Sequence, residues 1–316
     1  MSATTTVRQR RNSKLQKKGQ NGKESAKKQN PRLCRYEELP DWQQDNDKIL
    51  SGYVRETGSF RKCLESLTYM HNETVNIYTH LIPSATYLVL LMFFTDLFLI
   101  PQFPSTTMSD YIIINFYLLG AFLCLMCSSC FHCLKQQSET HSDLWSKVDY
   151  MGIIILISCS TVSILYYGFH DHLLHFKIFT VITVVLGSCC AAFVLNDRFN
   201  AKNWRVCRAS FFIGFAFSGI VPIVTGVLEF GITEAFRRVQ VKFVAWEAVF
   251  YIGGAVLYGF RIPESLAPGK FDLFGHSHQL FHVLVVLGSL CHFRAVLGSY
   301  LWVHTGNYYP NFLALK

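Results

Sequence analysis

Residues 275–303 read GHSHQLFHVLVVLGSLCHFRAVLGSYLWV, a histidine-containing entrance followed by an apolar run of membrane-span length. A transmembrane helix needs about 20 mostly apolar residues. In the entrance, His278 and His282 are four residues apart, so on a helix they share one face and can bind one metal ion. Ionisable side chains are costly inside a membrane unless they have a partner. The stretch therefore predicts a membrane helix with a metal site at one end.

Six further apolar runs precede this one and are separated by short polar links. They occupy residues 78–100, 111–133, 151–169, 173–195, 210–228 and 243–260. The chain is 51% hydrophobic and 16% charged, whereas average soluble domains carry about 25% charged residues. We therefore predict an all-α membrane protein, a bundle of seven transmembrane helices, and we exclude a soluble helical protein.

Positive charge is concentrated in the first 32 residues, which hold ten Lys or Arg and a single acid, Glu24. A segment this polar cannot bury a core, so residues 1–35 are predicted to be a disordered basic tail. Lys and Arg favour the cytosolic face of a membrane, which predicts a cytosolic N-terminus and, after seven spans, a C-terminus outside. The tail lacks interleaved aromatic residues, so we expect no nucleic-acid partner.

The rest of the chain divides by composition into three parts. Residues 36–76 are predicted to be an amphipathic juxtamembrane segment, 77–304 the seven-helix membrane domain and 305–316 a short C-terminal tail. Most of the eleven cysteines lie in the predicted spans, where a free thiol packs as a small hydrophobic group. We therefore interpret the regularly spaced cysteines of the second run as packing residues, and we expect no disulfide framework.

Polar residues at the predicted inner ends of the spans meet at one depth. A catalytic zinc ion takes three protein ligands and leaves one position for water, and His132, His278 and His282 offer three imidazoles. Asp149 can orient that water and accept its proton. Ser128, one turn before His132, can donate a hydrogen bond to a substrate carbonyl. These residue types together predict a zinc hydrolase site.

Each of these residues also has a purely structural interpretation. His132 can be a hydrogen-bonded histidine at a helix end. Asp149 can lie at the N-terminus of the third span, where the helix dipole favours a carboxylate, and Ser128 can serve in helix packing. Spacing alone leaves both interpretations open.

The sequence His71-Asn72-Glu73 forms a separate polar cluster just before the first span. Its simplest role is to brace the junction between the juxtamembrane segment and that span. As an alternative, Glu73 and His80 support the metal ligands from behind.

Three blocks of sequence carry a resemblance to a known family. They are SLTYMHNETVNIYTHL at 66–81, CSSCFH at 127–132 followed by SKVDYMGI at 146–153, and GHSHQLFHVLVV at 275–286. In this order and spacing the chain resembles the progestin and adipoQ receptor family, which includes the adiponectin receptors and the haemolysin III-related proteins. It is most similar to the fungal branch, which is associated with zinc homeostasis and with membrane sterol or lipid metabolism.

The resemblance implies a seven-helix bundle with an internal N-terminus and Zn²⁺ bound by His132, His278 and His282. It also implies a water held by Asp149, with Ser128 nearby, and hydrolysis of the amide bond of a ceramide-like membrane lipid. The stretch 133–139 departs from the receptor branch, because it lacks the aromatic residue and the histidine that are common there. The resemblance therefore does not imply that this chain shares the substrate or regulator preference of the receptor branch.

Two functions are compatible with these residues. The first is an integral-membrane zinc hydrolase that acts on a ceramide-like lipid. The second is a receptor or sensor with a structural zinc ion that responds to an extracellular or lumenal protein ligand. A zinc transporter is the weakest interpretation, since a three-histidine site on one side provides no relay of ligands across the bilayer. The endoplasmic reticulum and the plasma membrane both remain open as locations.

Overall fold

The computed structural model describes residues 31–199 and 204–305, and most of these residues are helical. The helices are α1 (Phe60–Glu65), α2 (Thr74–Phe94), α3 (Met108–Leu134), α4 (Glu139–Gly168), α5 (Leu173–Leu195), α6 (Arg205–Phe217), α7 (Ile220–Phe230), α8 (Ile232–Arg238), α9 (Val241–Phe260) and α10 (Ser277–Thr305). A two-stranded antiparallel sheet, β1 (Leu33–Cys34) with β2 (Tyr53–Val54), precedes them.

Seven helical segments of the described residues are long and apolar enough to cross a membrane. They are α2 with its continuation through a π-helical turn to Gln102, α3, α4, α5, the pair α6–α7, α9 and α10. The fifth segment is interrupted at Ser218–Gly219, between α6 and α7. The predicted all-α fold with seven transmembrane helices is confirmed.

Several element boundaries differ from those predicted. The strand Leu33–Cys34 falls inside the tail that was predicted to be disordered from 1 to 35, while residues 1–30 of that tail lie outside the described residues. The first span begins at Thr74, before position 77, and the last helix continues through Thr305. Residues 306–316 also lie outside the description. Hydropathy marks the apolar core of a span and not the ends of its helix, so the helices extend beyond the apolar runs.

The helix α4 shows this difference most clearly, because it begins at Glu139 and not near residue 151. Asp149 is therefore ten residues inside the helix and does not lie at its N-terminus. The effect of the helix dipole falls off within the first turn. The dipole interpretation of Asp149 is wrong for this reason.

The helix α3 packs against both α2 and α4. Small residues let α3 and α4 approach closely. A Cβ atom added to Gly120 would lie 2.6 Å from the Cβ of Cys159, and one added to Gly152 would lie 3.0 Å from the Cα of Cys124. Small side chains are typical of tight helix interfaces in membranes. This interface fixes the end of α3 relative to the first half of α4.

One end of the bundle, where α3 ends and α10 begins, is here called the histidine end. The N-terminal segment, residues 31–59, is hydrogen-bonded to the loops at this end. The Asp272 carboxylate accepts hydrogen bonds from the Leu50 N–H at 2.8 Å and from the Ser51 hydroxyl at 2.6 Å. The Thr57 N–H donates to the Gln136 carbonyl at 2.9 Å. These bonds tie the segment to the loops that follow α3 and precede α10.

Candidate metal centre

Three histidines from two helices surround one point at the histidine end. His132 lies near the end of α3, and His278 and His282 lie one turn apart in the first turns of α10. One potential ligand atom from each lies within 4.8 Å of the other two. The ring centroids are 4.7–4.8 Å apart, and the planes cross at 76–85°. The spacing of four residues on α10 therefore does bring two imidazoles to the third.

His132 is fully buried and is held from behind by Glu73, the residue immediately before α2. Its Nδ1 lies 2.7 Å from Oε2 of Glu73. Within the described part of the chain, nothing hydrogen-bonds to the buried Nε2 of His132. Buried polar atoms are normally hydrogen-bonded. An orphaned imidazole nitrogen that faces two other imidazoles fits a metal ion.

His282 is held in a similar way by α2. Its Nδ1 lies 3.0 Å from the carbonyl oxygen of Asn76. The ring of His80 stacks on the ring of His282 with centroids 3.7 Å apart and an angle of 3° between the planes. An imidazole that donates from Nδ1 to a carbonyl presents the lone pair of Nε2, which is the usual arrangement of a metal-bound histidine.

His278 is partly buried beside the ring of Tyr258, with centroids 4.8 Å apart. The neighbouring His276 does not belong to the group of three. Its Nε2 instead lies 3.2 Å from the carbonyl oxygen of Asn72, in the segment before α2. Residues two apart point to different faces of a helix, and His276 also precedes the first residue of α10.

Ser128 and Asp149 lie beside each other on α3 and α4. Ser128 is buried one turn before His132, and its hydroxyl is close enough to the Asp149 carboxyl to interact with it. Asp149 does not belong to the compact group of potential ligands found among the described residues. The structure therefore brings the three histidines together, with Ser128 on the same helix as His132 and Asp149 on the adjacent helix α4.

Glu73 also contacts Lys135, the residue immediately after α3, a contact that the sequence did not indicate. Its Oε1 lies 2.6 Å from Nζ of Lys135, and its Oε2 accepts a hydrogen bond from Nδ2 of Asn76 at 2.7 Å. Burial raises the pKa of Glu73, but Lys135 and the contact with His132 outweigh it and hold that pKa well below its ordinary value. The Glu73 carboxyl group thus has three polar neighbours, His132, Lys135 and Asn76. Of these contacts, only the one with Asn76 could have been expected from the sequence, because side chains three residues apart meet on a helix.

The sequence also did not indicate a second histidine–carboxylate pair in the bundle. Nδ1 of His292 on α10 lies 2.8 Å from Oε2 of Glu247 on α9, and Nε2 lies 3.0 Å from the Ser160 carbonyl oxygen on α4. His292 is ten residues beyond His282, which is about 15 Å along a helix. Both nitrogens of this imidazole have partners. His292 therefore links three helices and does not belong to the candidate metal centre.

The sequence is similar to a known family and to several known proteins. The sequence profile of the family described as haemolysin-III related matches residues 68–293. The ADIPOR-like receptor IZH1 of Eremothecium gossypii is 57% identical over 92% of this chain and 92% of its own length. The ADIPOR-like receptor IZH2 of Saccharomyces cerevisiae is 48% identical over 88% of this chain and 87% of its own. The adiponectin receptor protein of Drosophila melanogaster is 35% identical over 84% of this chain and 59% of its own.

The matched region begins just before α2 and includes all three clustered histidines, together with Ser128 and Asp149. It also covers six complete membrane-spanning segments and more than half of the seventh. The likeness thus extends over both the bundle and the site. The chain belongs to the haemolysin-III-related family of seven-helix membrane proteins and is similar to its fungal adiponectin-receptor-like members.

Proposed function

We propose that His132, His278 and His282 bind Zn²⁺ and that the chain hydrolyses the amide bond of a ceramide-like membrane lipid. The observation that carries the proposal is the buried Nε2 of His132, which has no hydrogen-bond partner among the described residues and belongs to a cluster of three imidazoles. Neutral imidazoles are preferred zinc ligands, and three of them leave a fourth position open.

A bound zinc ion would supply a Lewis acid that polarises a carbonyl and lowers the pKa of water to about 7. The chain's own residues supply the remaining roles. Asp149 orients the attacking water and accepts its proton. Ser128 donates a hydrogen bond to the carbonyl oxygen of the lipid, which gains negative charge as the water oxygen adds. The carbon–nitrogen bond then breaks, and the proton returns from Asp149 to the leaving nitrogen. The products are a fatty acid and a sphingoid base.

The test measures zinc content and hydrolysis of a ceramide by the purified protein. Asp149→Asn should retain zinc and lose turnover by about 10²–10⁴-fold, the usual contribution of a general base. His278→Ala should lose both. Asp143→Asn is the matched control, because Asp143 is an exposed acid on the same helix. Unchanged turnover in Asp149→Asn would refute the hydrolytic role.

We further propose that the protein acts in zinc homeostasis and in sterol or sphingolipid metabolism, in the endoplasmic reticulum or the plasma membrane. The basic composition of residues 1–32 supports a cytosolic N-terminus, which would put the histidine end on the cytosolic side. Tags on the two ends test this orientation. The N-terminal tag should be reached from the cytosol and the C-terminal tag from outside, whereas a C-terminal tag reached from the cytosol would overturn it.

A receptor or sensor with a structural zinc ion is the second candidate. It is favoured by the names of the two fungal relatives, both of which are called ADIPOR-like receptors. In this role an extracellular or lumenal protein ligand would change lipid or metal signalling without turnover by the chain itself. Zinc-loaded wild-type protein that does not hydrolyse ceramide or a related lipid amide would favour this candidate over the hydrolase.

A further inference from the structure

Glu73 joins the entry of α2 to the end of α3. One carboxylate oxygen lies 2.7 Å from Nδ1 of His132, and the other lies 2.6 Å from Nζ of Lys135. The Glu73 side chain is 12% exposed and that of His132 is fully buried, whereas that of Lys135 is 24% exposed. The three groups therefore form a chain that runs from the surface of the protein to the metal centre.

The direction of the hydrogen bond follows from the chemistry of the partners. The ammonium of Lys135 can only donate, so Glu73 is its carboxylate acceptor in the ion pair. A carboxylate accepts hydrogen bonds, and Nδ1 of His132 is therefore the donor to its other oxygen. The Nε2 atom of the same ring then has a free lone pair, and this is the buried atom for which no partner is found in the described residues. A carboxylate that accepts from a histidine in this way fixes the tautomer and the ring orientation and makes the ligand more basic.

The same carboxylate also reaches the second ligand through Asn76. The side-chain amide of Asn76 donates to Glu73 at 2.7 Å, and its backbone carbonyl lies 3.0 Å from Nδ1 of His282. The entry of α2 thus holds one ligand from α3 and one from α10. Glu73 contacts His132 directly, and it contacts Asn76, which in turn holds His282.

We propose that Glu73 is the positioning residue of the metal centre and that its negative charge strengthens zinc binding through His132. The inference rests on the proposed zinc site. Lys135 neutralises Glu73 on the side away from His132, so its positive charge opposes the cation that the carboxylate favours. If Glu73 and Lys135 only braced the helices, removal of either one would weaken zinc binding. If the charge of Glu73 matters, removal of Glu73 weakens zinc binding and removal of Lys135 does not.

The experiment measures the zinc dissociation constant of the full-length protein in nanodiscs by competition with a chelating dye. Glu73→Gln keeps the size of the side chain and removes its charge, and it should weaken zinc binding by about 10–100-fold. Lys135→Met should leave the affinity equal to that of the wild type or increase it. Asp272→Asn is the control, because it removes a carboxylate at the histidine end that accepts from Leu50 and Ser51 and not from a histidine.

The outcomes separate the inference from the proposal on which it rests. If the wild-type protein binds no zinc, the proposed site is wrong. If the wild type binds zinc and Glu73→Gln binds it equally well, the site stands and the inference fails. An equal loss of affinity in Glu73→Gln and Lys135→Met would identify a mechanical brace and would also contradict the inference. Melting curves of the metal-free variants establish that each one is folded.

Discussion

Substitution of Gly120 by alanine tests the close packing of α3 against α4. The added Cβ would lie 2.6 Å from Cβ and 2.8 Å from Sγ of Cys159. Carbon atoms pack best at about 3.5–4.0 Å, so α3 and α4 must separate by roughly 1 Å. Overpacking of this kind costs about 1–3 kcal/mol. The same two helices carry Ser128 and Asp149, so the separation should also reduce any turnover.

The assay is the melting temperature of the purified protein, followed by size-exclusion fluorescence after heating. Gly120→Ala should melt below the wild type. Gly253→Ala is the control, because an added Cβ on that residue of α9 meets nothing within 4 Å in the part of the chain that the structure describes. Replacement of glycine by alanine there should be neutral or stabilising by up to about 1 kcal/mol.

A double-mutant cycle identifies the contact itself. In the background of Cys159→Gly, the alanine at position 120 has no side chain to meet, so Gly120→Ala should cost little relative to Cys159→Gly alone. If Gly120→Ala melts at the wild-type temperature, or if its cost is the same in both backgrounds, the described approach of α3 and α4 is wrong.

Two further predictions concern the two ends of the bundle. A zinc chelator should lower the melting temperature of the wild type, because a ligand that binds only the folded state stabilises it by about 2.7 kcal/mol at a hundred times its dissociation constant. His278→Ala should melt at the same temperature with and without the chelator. A similar shift in both proteins would refute the link between these histidines and stability. At the opposite end, the hydrogen bonds from Arg238 lower the pKa of Asp171 from 3.8 to about 2, so the pair stabilises the fold above pH ~4 and loses this effect as the pH falls toward 2. The wild type should therefore melt above Asp171→Asn at pH 6, with a smaller difference at pH 3, and a difference independent of pH would contradict the ion pair.

The seven spans and the three clustered histidines could be predicted from the sequence because both depend on local properties. Apolar runs of about 20 residues identify membrane helices without knowledge of their neighbours. A spacing of four residues puts His278 and His282 on one face of any helix. The prediction that His132 joins them required only that the helix of His132 end at the same depth in the membrane. The structure brings the three together as the pattern indicated.

The sequence left two roles open for Glu73 and His80, and it could not show which ligand each one contacts. Such contacts depend on how the helices rotate against each other. Glu73 and His132 are 59 residues apart, and Glu247 and His292 are 45 residues apart. Neither separation has a sequence pattern that distinguishes contact from coincidence. The position of Asp149 within α4 was also not predicted, because hydropathy locates the apolar part of a helix and not its first residue.

The central claim is that the three histidines bind one zinc ion, and metal analysis of the purified protein tests it most directly. The wild type should contain about one zinc ion per chain. The His132→Ala/His282→Ala double variant should contain almost none after the same purification. Equal zinc content in the two folded proteins would contradict the claim.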